Sequence, residues 1–161
     1  MTQLRLLGLS VDLEPLDMFR NSEPDDGRRP DIVLRNPYGG GRQIIIDVTL
    51  SGINGSTRTN DDIPEQPIIV RRKQKESKYS QIANRNGLNF IAASFSHTGE
   101  MDVKFRNFLL QQIRLKLQLV DGEVKKSKVR SIMKHFVRHI SAAINRSASR
   151  NIFSRLPKRL T

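Results

Sequence analysis

Two aspartates, Asp31 and Asp47, flank the glycine-rich turn Gly39-Gly40-Gly41, and two lysines, Lys75 and Lys78, follow further along. Folding the segments around Ile32-Val33-Leu34 and Ile44-Ile45-Ile46 as a hairpin pairs residues whose numbers sum to about 79. Asp31 and Asp47 then lie opposite or diagonal to each other, with Cβ atoms roughly 5–8 Å apart. Carboxylates held that close repel each other unless a cation lies between them. A divalent metal with oxygen ligands is the usual reason to build such a pair. Lys75 and Lys78 bring a further cation within reach of the same place.

The elements that must position these groups follow from side-chain parity. Strand residues alternate faces with period two. Ile44, Ile46, Val48 and Leu50 share one face of the second strand, and Asp47 and Thr49 share the other with Ile45. In the first strand Ile32 and Leu34 oppose Asp31 and Val33, so one face enters a core while both acids point together elsewhere. A Pro-Asp pair alone carries little weight, since Pro24-Asp25 lies just upstream. The weight is in hairpin, parity and lysines together.

The spacing predicts strands near 31–35 and 42–50, then a polar loop over 51–67, with an earlier turn-rich loop at 21–29. The leucine-rich run at 2–19 reads as a short strand or the remnant of a helix. A helix is predicted from Gln66 or Ile68 to Arg85, with Lys75, Lys78, Tyr79 and Ile82 on one face and Gly87 suited to a left-handed cap. Leu88–Phe95 reads as a buried strand. A helix over 100–119 follows, capped by Thr98 or Ser96 and broken by Asp121-Gly122. A last helix over 127–146, capped by Ser127, carries the apolar stripe Val129, Ile132, Met133, Phe136, Val137, Ile140, Ala143 and Ile144. Residues after Ser147 read as frayed or disordered.

Composition narrows the function classes. The 161 residues suit one domain, or a small domain with an appendage. No stretch approaches the ~20 apolar residues that cross a bilayer. The N-terminus shows no secretory pattern. There is no cysteine, hence no disulfide and no thiolate metal site, which fits an intracellular setting, the nucleus included. Charge divides unevenly: residues 1–100 hold 13 Lys+Arg and 13 Asp+Glu, whereas residues 101–161 hold 15 and 3, the whole excess of +12. A basic segment on a neutral domain points to a polyanion partner, DNA first, with Lys128, Arg130, Lys134 and Arg138 as the binding face. A solvated helical surface is the plain alternative. His135 and His139, four apart on one helix, lack a third ligand and read as DNA contact or surface. Nothing suggests a membrane or a small-molecule cofactor as partner, and oligomeric state is left open.

Arg29-Pro30-Asp31-Ile32, Ile45-Ile46-Asp47-Val48-Thr49, Lys75-x-x-Lys78-Tyr79-x-x-Ile82-Ala83 and Thr98-Gly99 fall in order along residues 28–120. This pattern resembles the PD-(D/E)xK nuclease superfamily, and more narrowly the restriction-like endonuclease domain of non-LTR retrotransposons. The resemblance implies an α/β (α+β) fold with a restriction-endonuclease-like core over 1–120, a mixed sheet flanked by helices, and a basic helical extension over 121–161. It implies a Mg²⁺-dependent DNA endonuclease, with Mn²⁺ as an alternative ion. Asp31 and Asp47 would hold the metal with the Val48 carbonyl, and Lys75 first, Lys78 second, would supply the catalytic cation. The superfamily lysine two residues after the second acid is Thr49 here, and the acid usual on an upstream helix has only Glu14 as a stand-in. A nuclease fold that binds nucleic acid without cutting is the other expectation. A helical domain docking a partner through the 127–146 stripe is a third.

Overall fold

The computed structural model describes residues 4, 8–13, 30–38, 40–51 and 67–155. The expected loop at 21–29, residues 52–66 of the loop expected over 51–67, Pro24-Asp25, Glu14 and the chain beyond Arg155 lie outside them, whereas Ser51 is in a strand and Pro67 in a helix. Four strands, β1 (Val11–Leu13), β2 (Ile32–Leu34), β3 (Ile44–Ser51) and β4 (Asn89–Ser96), form one sheet in the order β1-β2-β3-β4. The first three pair antiparallel and β3 pairs parallel with β4. Helix α1 (Pro67–Arg85) supplies the crossover that a parallel pair requires, and α2 (Val103–Asp121) and α3 (Lys126–Arg155) follow. The result is a mixed four-stranded sheet with three helices, an α+β arrangement.

β-branched residues dominate β2 and β3, as a strand buried on both faces demands. Their register pairs Ile32 with Ile46, Val33 with Ile45 and Leu34 with Ile44, a constant sum of 78 rather than the expected 79. Both strands are trimmed at their starts relative to expectation. Ile32, Leu34, Ile44 and Ile46 enter the larger core with Phe105, Leu109 and Ile113 of α2 and Val129, Met133 and Phe136 of α3. Val33 and Ile45 face the other way, onto Tyr79 and Ala83 of α1 and onto Leu88. The sheet therefore separates α1 from the α2–α3 pair. Where described, the leucine-rich N-terminal run shows both expected forms: Leu4 is helical and enters the core, and Val11–Leu13 form the edge strand β1.

Cap chemistry sets the helix ends. Pro67 opens α1 with the fixed φ that a first helical turn needs. Gly87 ends it at φ 68°, its N–H donating to the Asn84 carbonyl and that of Leu88 to Ala83 over 2.9 Å, a Schellman arrangement. The cap of α2 is Asp102, whose carboxylate accepts from the Lys104 N–H at 2.9 Å. Neither Thr98 nor Ser96 caps the helix. Ser96 instead accepts from the Glu100 N–H and closes the turn before it. Helix α3 begins at Lys126, so Ser127 is inside it, and the Val129 N–H donates to the Lys125 carbonyl. It runs to Arg155, past the fraying expected after Ser147, because no helix breaker stands between. Of its apolar stripe, Val129, Met133 and Phe136 are buried in the molecule's own core and Ile132, Val137, Ile140 and Ile144 pack against it half-buried, which leaves less of the stripe for a docking partner.

Gly99, in the turn that links β4 to α2, has φ 87°, and a Cβ there would sit 2.5 Å from Ser141 Oγ and 3.1 Å from Ser141 Cα in α3. Gly87 has the same backbone sign with nothing within 4 Å. Both alanine variants carry left-handed strain of about 1 kcal/mol or more, and Gly99→Ala adds overpacking of about 1–3 kcal/mol. Thermal unfolding followed by circular dichroism is expected to show the larger drop for Gly99→Ala. Equal melting points for the two would remove the α3 contact from the account.

Candidate functional site

The register that pairs Ile32 with Ile46 continues by one step to set Asp31 across from Asp47. Asp31 stands in the bend just before β2, half-buried, and its Oδ2 accepts a hydrogen bond of 2.6 Å from the Val48 N–H. That bond ties the first acid to the strand carrying the second. Asp47 is 3% exposed, sits on the Ile45 face of β3, and lies beside Ala92 in the parallel register with β4. A carboxylate this buried needs a counter-charge. Lys75 of α1 brings its Nζ to 2.5 Å from Asp47 Oδ2. The contact is an ion pair without the alignment of a hydrogen bond, so that oxygen keeps no aligned donor.

Of the two lysines, Lys75 is the one paired with Asp47. Its side chain is 29% exposed, enough to be reached from outside. Lys78 is exposed, with its ammonium 5.2 Å from the centre of the Tyr79 ring. Tyr79 is buried against Phe90, ring centroids 5.3 Å apart, and helps to hold α1 on the sheet. The expected common face of α1 is thus only partly realised. The line toward the sheet runs through Lys75, Tyr79 and Ala83, and Lys78 falls outside it.

Three residues beside the acids escaped the sequence reading. Arg72, one turn before Lys75, places Nε 3.2 Å from Asp102 Oδ2 and NH1 3.4 Å from Glu76 Oε1. Asp102 is 2% exposed and also caps α2, so one carboxylate fastens α1 to α2. Lys104 closes the network on Glu76 at 2.9 Å. Ser94, opposite Thr49 in the β3–β4 register, is fully buried with its hydroxyl unpaired among the described residues. The three-residue step from Arg72 to Lys75 marks a shared helix face. Asp is a preferred N-cap type, so Asp102 carried a local signal for its cap, but its pairing with Arg72 and the burial of Ser94 come from tertiary contact.

The donors of Asp31, Asp47 and the Val48 carbonyl are all oxygen. Among the described residues no three His, Cys, Asp or Glu side chains cluster as a metal site. His135 and His139 lie side by side, ring centroids 4.3 Å apart, on the exposed part of α3. Lys128, Arg130, Lys134 and Arg138 are likewise exposed on α3, with Lys128 held 2.5 Å from Asp121. They belong to the helix pair on the sheet face away from Asp47. No described helix is long and apolar enough to cross a membrane. Comparison with models of known protein families and with curated protein sequences gives no match to this chain.

Proposed function

We propose that the chain is a metal-dependent DNA endonuclease of the PD-(D/E)xK type, similar to the restriction-like endonuclease domain of non-LTR retrotransposons. One observation carries the reading. Asp31, Asp47 and Lys75, singled out by type and spacing, converge on one end of the β2–β3 pair, with Lys75 at 2.5 Å from Asp47. Mg²⁺ is held by one or two carboxylates and completes its shell with water, so two aspartates and a backbone carbonyl are a sufficient protein share. The buried Asp47 oxygen that lacks an aligned donor fits that use. Bound Mg²⁺ or Mn²⁺ would supply a water of lowered pKa and positive charge beside the phosphate.

The chain's own residues do the rest. The Val48 N–H fixes the Asp31 carboxylate against the strand that carries Asp47. Lys75 neutralises Asp47 in the resting state. With that carboxylate shared, the Lys75 ammonium would be free to stabilise the charge that builds on a scissile phosphate during attack. Thr49 cannot do this, being neutral, so the crossover helix supplies the charge that the strand lacks.

The test is nicking of supercoiled plasmid with Mg²⁺ or Mn²⁺, with EDTA and Asp47→Ala as controls. Metal-dependent cutting that disappears in Asp47→Ala is the expected result. A second reading, a nuclease fold that binds nucleic acid without cutting, is favoured by Lys75 already satisfying Asp47 without a metal. Binding without cutting under both ions would overturn the first reading and leave the second.

A further inference from the structure

Helices α2 and α3 pack with a groove of about 650 Å³ between them. One wall carries Arg106 and Arg114 of α2, and the other carries Lys126, Arg130, Lys134 and Arg138 of α3. The α3 set follows a four-residue step and the α2 pair spans two such steps with Leu110 between, each along the ridge that runs on a helix surface. The floor between them is apolar, and no acid lines the groove. All three acids beyond residue 100 are engaged elsewhere: Asp102 with Arg72, Asp121 with Lys128, and Glu123 with Lys125. The six groove cations have no ion-pair partner among the described residues. Six unpaired positive charges in one concavity repel each other, which an anionic occupant would relieve.

We infer that the α2–α3 groove binds a nucleic-acid backbone, at a site separate from the acid–lysine centre. The proposal rests on the nucleic-acid reading of this chain but not on cleavage. The α3 row climbs ~6 Å per four-residue step, close to two nucleotide rises of ~3.4 Å along one strand. An anionic bilayer fits worse, since a flat surface would meet the rims and leave the floor uncovered. The sheet lies between this groove and Asp47, so a strand held here is a different segment from any strand at Asp47. The groove tethers while the other face remains free to act. Lys128, paired with Asp121 and outside the groove, leaves the binding face that the sequence suggested, and Arg106, Arg114 and Lys126 join it.

The test compares two triple variants that each lose three charges. One is Arg114→Gln, Arg130→Gln and Arg138→Gln in the groove. The other is Arg35→Gln, Lys125→Gln and Lys128→Gln, cations paired with acids elsewhere. Binding of fluorescent duplex and single-stranded DNA is measured by anisotropy in EDTA across a salt series, so cutting does not enter. The groove variant is expected to lose at least about tenfold in affinity and to shallow the log–log salt slope by roughly three, while the control keeps the wild-type slope. Loss on duplex alone, or on single strands alone, identifies which form supplies the backbone. A control that weakens as much as the groove variant would overturn the proposal, as would retention of DNA with loss of anionic-vesicle binding. Circular dichroism checks folding. If the triple variant melts early, Arg130→Gln alone is expected to shift the slope by about one, and an unchanged slope there overturns the proposal as well.

Discussion

Lys75→Met is expected to slow metal-dependent nicking by about 10²–10³-fold and to make the fold depend on divalent ions. The first effect follows from the proposed cleavage, in which the Lys75 ammonium would meet the developing phosphate charge. The second follows from what remains. Asp47 is 3% exposed, and Lys75 is its ion-pair partner. Removing one partner of a buried pair leaves an uncompensated charge. The penalty here is about 2–3 kcal/mol, toward the low side because the lysine is partly open to water. Asp31, across the register, adds repulsion to the same place. Mg²⁺ should then recover much of the loss, since anything that binds the folded state alone stabilises it. Thermal melts with and without Mg²⁺ check this: the shift should be larger in Lys75→Met than in the wild type, and absent in Asp47→Ala. Identical shifts in wild type and Lys75→Met would mean that lysine and metal do not share Asp47.

Asp102→Ala is expected to cost about 3 kcal/mol, a large effect for a residue outside the acid pair. Two losses combine. The N-cap bond to the Lys104 N–H is worth about 1 kcal/mol. The charge on Arg72, whose side chain is only 11% exposed, loses its buried partner and keeps only Glu76 at 3.4 Å. Asp102→Asn retains a cap and should recover about 1 kcal/mol of the difference. Because Arg72 lies one turn before Lys75, nicking should fall in both variants even where they remain folded. Urea unfolding and nicking rates separate the terms. Asparagine matching wild type in both would show that the carboxylate acts only as a cap.

The hairpin was legible because two local signals agreed: a glycine turn fixed the pairing, and strand parity placed Asp31 and Asp47 on one face. The register differed by a single step in the sum, and that step sets the acids directly opposite. Which lysine meets Asp47 was legible only as an order of preference. Lys75 and Lys78 lie one turn apart, and the packing of Tyr79 and Ala83 decides which of them faces the sheet. The Asp102 cap was missed because the helix was expected to start at 100, which put the cap at Thr98 or Ser96, whereas it starts at Val103, where Asp102 caps it and also meets its tertiary partner Arg72. The two faces of the sheet were foreseen, but not which helices cover which. That depends on Val129, Met133 and Phe136 turning back onto the strands.

Strand β4 lies at the outer edge of the sheet, and the described residues protect only part of it. Ser96 donates to the Glu100 carbonyl and Asp102 to the Ser94 carbonyl, with Phe95 bridged to Met101. Among the described residues the stretch from Asn89 to Ala93 pairs only inward, and it carries no charge. Uncharged edges of this kind invite another strand to add on. A net charge of +12 opposes the approach of two copies at low ionic strength. Salt screens that repulsion over the same ~10 Å on which it weakens nucleic-acid contacts. The salt that would strip a polyanion held as proposed is therefore the salt in which edge-to-edge association is least opposed, so colloidal stability and release of such a partner would pull against each other.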